Sequence, residues 1–112
     1  MTTAQELVDY EQAALTSFES AIREPHAEAQ LNREVARLEG KLEQLHHVAV
    51  MAARRTEQVE EIALIWQTML QICERFAQRT QSLVQAHPGC RASCDKVLDL
   101  LSDCKARHAF HA

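Results

Sequence analysis

Glycine and proline are nearly missing from this chain, with two of each in 112 residues. That scarcity leaves little material for turn-rich β structure. With a composition rich in alanine, leucine, glutamate and glutamine, it points to an all-helical protein. Aromatic residues are also few, so the expected core is aliphatic, with Phe18, Trp66 and Phe76 as its bulky members. Basic tracts are lacking and the net charge is −4, which argues against nucleic acid as a partner. No apolar run is long enough to span a bilayer, and Met1 to Tyr10 lacks the cationic, apolar and small-residue parts of a signal peptide. Four cysteines without an export signal suggest free thiols in a reducing compartment, so the expected location is cytoplasmic. No glycine-rich loop is available to hold an oxyanion, and no third orienting group accompanies any nucleophile–base pair. The expectation is a protein that is not an enzyme.

What the chain does have is a long apolar seam. Read in sevens, Leu31, Leu38, Leu45, Ala52, Val59, Trp66 and Cys73 take one position. Val35, Leu42, Ala49, Thr56, Ala63, Leu70, Ala77 and Val84 take the other. Alternating steps of three and four residues describe a helix that buries one face against other helices. From Val59 onward the stripe widens to include Ile62, Met69, Phe76 and Leu83, which favours contact with more than one neighbour.

Around the seam the helices are expected at residues 3–23, 26–54, 57–86 and 91–109, in one domain covering 1–112. Thr3 and Glu6 make a capping box for the first helix, and Glu24-Pro25 makes a corner after it. His87-Pro88-Gly89 is the clearest turn, with Ser93 as a cap for the last helix. Residues 52–57 read two ways. Arg54 and Arg55 suit a helix C-terminus, Thr56 suits a cap, and Glu57, Glu60 and Glu61 suit a helix start. A break there gives an antiparallel bundle of three or four helices. Without it, one helix over 26–86, on the order of 90 Å long, forms a dimeric coiled coil. Base rates of helix length favour the bundle.

Candidate chemistry gathers near the C-terminus. Cys90, Cys94, Cys104, His108 and His111 fall on one helical stripe. Thiols and imidazoles four residues apart offer two ligands from one helix face to a soft ion such as Cu(I) or Zn. The separation of Cys94 from Cys104 is too great for one helix to close the set, so another helix or another chain would complete it. The Cys90-x-x-x-Cys94 spacing resembles that of cysteine-rich four-helix copper-storage proteins. The likeness covers that single pair, because leucine and valine stand at the other core places. Small apolar cysteines packed in a core are the plainer reading. Cys104 and His108 are also spaced as a nucleophile and base, again with no supporting group. His46-His47 is not a joint ligand pair, because adjacent helical residues point in different directions.

The expected function is therefore non-catalytic: a helical protein–protein interaction module, an adaptor, chaperone-like protein or self-associating bundle. Its partner would be another protein or a second copy, and its seam Leu31, Val35, Leu38, Leu42, Leu45, Val59, Trp66 and Leu70. In general outline such chains resemble the chaperones and adaptors of bacterial secretion and flagellar systems. The alternative is a Cu(I)- or Zn-binding bundle using Cys90, Cys94, Cys104 and His108; the interaction reading needs no cofactor.

Overall fold

The apolar stripes become helices in the computed structural model, which describes residues 3–23 and 28–111. In chain order these are α1 (Thr3–Arg23), α2 (Glu28–Arg55), α3 (Val59–Ala86) and α4 (Arg91–His111). A 3-10 turn, Pro88–Cys90, leads into α4. The corner expected at Glu24-Pro25 lies outside the described residues. Thr3 is already helical, so a cap for α1 also falls outside them.

The continuous helix over 26–86 does not form. The chain leaves the helix after Arg55 and re-enters it at Val59. Between them, Thr56 Oγ1 accepts from the Gln58 N–H at 3.2 Å and donates to Glu61 Oε2 at 2.5 Å. Gln58 is the residue that enters α3, in extended conformation and without a side-chain cap of its own. Thr56 thus does cap-like work from two residues further out than the sequence suggests. Arg54 and Arg55 lie against the negative end of α2, and Glu60 and Glu61 against the positive end of α3. Charges of these signs are each favourable at their helix ends. No described residue in the turn needs a positive φ, so a tight reversal forms here without glycine.

The last helix also begins differently from the expectation. Ser93 is buried inside α4 and caps nothing. Proline supplies the first position of the 3-10 turn, the Cys90 N–H donates to His87 O at 3.0 Å, and the Arg91 N–H reaches Pro88 O. Helix geometry is therefore already set when α4 starts.

Together the helices make an antiparallel bundle about which α2 and α3 form the central pair. α1 lies in the groove on one side of that pair and α4 in the groove on the other. Two apolar clusters fill the interior. The larger joins Phe18 and Ile22, Leu31 to Leu42, Phe76 and Leu83, and Cys94 to Cys104 of α4. The smaller joins Leu7, Leu45, Ala49, Ile65, Trp66, Met69 and Ile72 and takes nothing apolar from α4. Thr68 and Thr80 are buried on α3 with their hydroxyls donating to the carbonyls of Leu64 and Phe76, one turn earlier. That bond satisfies a polar atom the core would otherwise strand.

The expected interaction seam is consumed by this packing. Leu31, Val35, Leu38, Leu42, Leu45 and Trp66 are all buried within the chain, and Leu70 is half-buried. Val59 departs from them and is 73% exposed. The reversal at 56–58 lets one half of the seam cover the other, so no second copy is needed to bury it.

Gly40 sits on the exposed face of α2, and a Cβ built there meets nothing within 4 Å. Gly40→Ala is expected to stabilise the protein by about 0.5–1 kcal/mol, the cost of glycine in a helix interior. A thermal melt followed by far-UV circular dichroism checks this; an unchanged or lower midpoint contradicts it.

Candidate functional site

Where the smaller apolar cluster meets α4, the core turns polar and aromatic. His46 stands on α2 next to Leu45, and His108 on α4 one turn beyond Cys104. Parallel packing of α4 along α2, with Lys96 beside Asn32 and Arg107 beside Glu43, sets their Nδ1 atoms 3.2 Å apart. A neutral imidazole carries one N–H and one lone pair, so one ring donates and the other accepts. The two rings stack with centroids 5.0 Å apart. Trp66 of α3 approaches both at 5.9 Å, and His111 lies flat on the indole at 4.4 Å and 14°. His108 is only 2% exposed, whereas His111 lies at the rim.

Arg107 borders this cluster. Its guanidinium forks onto Glu43 of α2, Nη2 to Oε1 at 3.1 Å and Nη1 to Oε2 at 3.3 Å, and Nη2 also reaches Cys104 Sγ at 3.8 Å. Arg107 Nε is buried without a partner. A fixed cation beside one buried and one half-buried imidazole opposes their protonation. Burial first, then the neighbouring His46 and Arg107, pushes His108 down to about 4. Burial and Arg107 lower His46 as well.

On the other side of the central pair, Glu11 of α1 is buried and bonded by Arg75 of α3 at 2.9 Å. Its second oxygen has no partner. Loss of hydration raises its pKa even against the attraction of Arg75.

The cysteines are all reduced and buried. Burial pushes Cys73 up to about 12, Cys94 up to about 11, and Cys104 upward also. Thiols so placed stay protonated near neutrality and are poor nucleophiles. The spacing of Cys104 and His108 does not make a catalytic pair here, since His108 Nδ1 is turned to His46 and the contact at Cys104 Sγ is with Arg107.

The four residues suggested as metal ligands are divided between two environments. Cys90, Cys94 and Cys104 pack among leucine, valine and phenylalanine of the larger cluster. His108 belongs to the histidine–tryptophan group at the other end of α4. Among the described residues, no three His, Cys, Asp or Glu side chains gather so as to hold a metal ion.

Sequence reasoning placed His108 and His111 on one stripe of α4 but did not find their partner. His46 and His47 do diverge as helix geometry requires, His47 to the surface and His46 inward. The signal for His46 was its place beside Leu45 on the inner edge of α2. It pointed to a half-buried ring without saying which helix would meet it.

The exposed large apolar side chains are also unevenly placed. Val59 (73%), Leu64 (49%), Val48 (38%) and Phe110 (87%) lie near the end of α2, the start of α3 and the end of α4. These termini share the end of the bundle that holds the 56–58 turn. A groove of about 480 Å³ runs between α3 and α4, past Cys73, Ala77, Gln81, Leu98 and Leu101. Among the described residues no helix is long and apolar enough to cross a membrane. No protein-family model, curated protein or solved structure matches this chain.

Proposed function

We propose that the chain is a non-catalytic protein–protein interaction module that pairs with a second copy of itself through the end of the bundle holding the 56–58 turn. The carrying observation is that Val48, Val59, Leu64 and Phe110, the large apolar side chains most exposed among the described residues, all lie at that end. Large apolar groups gathered on a surface mark sites of association more often than single scattered ones do.

Charge favours a second copy as the occupant. Arg54 and Arg55 close α2, while Glu57, Glu60 and Glu61 surround the start of α3. Both signs lie within one turn and its flanks, so a two-fold axis can set the arginines of one copy against the glutamates of the other. Self-complementarity of this kind is what an isologous interface requires. Buried thiols with raised pKa values, poor nucleophiles near neutrality, support a role in binding over one in thiol catalysis.

Size-exclusion chromatography with light scattering tests the reading. The wild-type chain is expected to elute at twice its 12.7 kDa mass. Leu64→Glu combined with Val59→Glu is expected to give a monomer with unchanged helicity, because both side chains are solvent-exposed in the single chain. A wild type that stays monomeric as concentration rises, or variants that stay dimeric, would overturn pairing at this end.

A further inference from the structure

We propose that the His46–His108 contact is an acid-sensitive clasp, whose second proton releases the last turn of α4, Arg107–His111, and uncovers Trp66. Three observations carry this, and none depends on the self-pairing argued above.

The contact has room for one proton. Two Nδ1 atoms 3.2 Å apart form a hydrogen bond when one ring donates and the other accepts. When both rings are cationic, both nitrogens carry hydrogen and the bond becomes a repulsive contact between like charges. His108 is 2% exposed, so water cannot screen that repulsion while the turn stays docked.

The surroundings do not compensate for a second charge. From α4, Arg107 adds a fixed cation, His111 a third imidazole, and Cys104 a thiol that burial keeps neutral. From α2, Glu43 is the nearby anion, and both its oxygens are already engaged by Arg107; His47 points to the surface. From α3, Trp66 offers an uncharged ring face. α1 packs on the far side of the central pair. Falling pH therefore loads positive charge onto a group whose one anion, Glu43, is already paired with Arg107, in keeping with the lowered pKa values of both histidines.

Apart from the clasp, the turn is held by the Arg107–Glu43 ion pair and the stacking of His111 on Trp66, and it has no apolar anchor in either cluster. Beyond Cys104, the one buried side chain of α4 is His108. The earlier turns are anchored by Cys94, Val97 and Leu101 in the larger apolar cluster. A helix end without apolar anchors belongs to the low-stability part of a protein and opens without global unfolding. Release of the turn removes His111 from the indole face and opens the Trp66 side of the smaller cluster.

Trp66 is the single tryptophan of the chain, so its fluorescence reports on this group alone. The full-length protein is titrated from neutral pH through the ordinary imidazole range to about 4, where His108 takes its proton. The emission maximum is expected to move to longer wavelength in a sigmoidal step, while far-UV circular dichroism falls by no more than one helical turn. Glu43→Gln is expected to keep the step, which separates imidazole from carboxylate titration. His108→Leu is expected to lose it. In wild type, NMR of the Arg107–His111 amides is expected to show loss of helical shifts at the midpoint of the His46 and His108 ring titrations, a result independent of how any variant folds. Rings that titrate while Trp66 emission and these amides stay unchanged would overturn the clasp. So would a single step in which the whole bundle melts.

Discussion

Phe76→Ala is expected to lower the unfolding free energy by about 3–5 kcal/mol, the range for truncating a fully buried phenylalanine. Phe76 has no exposure to solvent and sits in the larger apolar cluster with residues from all four helices. Its loss removes the transfer free energy of the ring and leaves a void that rigid neighbours fill only in part. Gln71→Ala is the matching control, because Gln71 is exposed on the same helix and surface substitutions usually lie within about 0.5 kcal/mol. Urea unfolding followed by circular dichroism reads both at one protein concentration. The Phe76 variant should shift its midpoint strongly with an unchanged slope. Loss of less than about 1 kcal/mol would mean that the two ends of the interior collapse independently of this ring.

Arg75→Ala is expected to cost about 3 kcal/mol at neutral pH, and Glu11→Leu to cost nothing or to stabilise the protein. The asymmetry comes from burial. Glu11 is 1% exposed in its side chain and Arg75 is 47% exposed. Removing the arginine strands a buried carboxylate, whereas removing the carboxylate returns a hydrated guanidinium to water. The stranded Glu11 has an escape, which is to take up a proton. Protonating an ordinary carboxyl at neutral pH costs about 1.4 kcal/mol per unit of pH above its pKa, and that sets the ceiling near 3. Leucine at this place removes Oε2, which has no partner in the bundle.

The pH dependence has a definite sign. Burial raises the pKa of Glu11 above its unfolded value, so the folded state binds this proton more readily and gains relative stability as pH falls through that range. The penalty of Arg75→Ala should accordingly shrink on acidification. A penalty that is flat with pH would mean that the arginine acts through its packing and not its charge. The histidine group runs the other way. His108 is lowered from 6.5 to about 4, so its favourable contribution is complete above the unfolded value and is lost as pH falls from there towards 4. The loss approaches about 3 kcal/mol if the turn stays docked, more than a helix end without apolar anchors supplies. Opening of the turn relieves it.

Much of the fold was legible because helix-forming information is local. The stripes at Leu7 to Ile22, Leu31 to Leu45, and Cys94 to Cys104 repeat at helical spacing, and each is a buried face in the bundle. The break near Thr56 was visible in the charges on either side of it, although its cap was assigned two residues too early. Seam phase misled at Val59, because a heptad count carries on through a turn that the chain does not follow as a helix. Ser93 misled for a related reason: a serine ahead of an aspartate has the chemistry of a cap, but the 3-10 turn before it had already made one unnecessary.

The candidate site was far less legible. Glu11 and Arg75 are 64 positions apart, and His46 and His108 are 62 apart. Nothing in either local segment specifies the other, and a glutamate or histidine on a helix edge reads as surface until a neighbouring helix covers it.

The sequence alone determined that this chain is helical, where its helices run and which face of each is apolar, since those depend on backbone propensity and spacing within a few turns. Only the tertiary structure decided that the seam is covered from within the chain. It also decided that Val59 and Leu64 are left outside and that His46 meets His108 beside a fixed cation. The physical reason is that burial, desolvation and charge proximity arise only when distant helices are packed together.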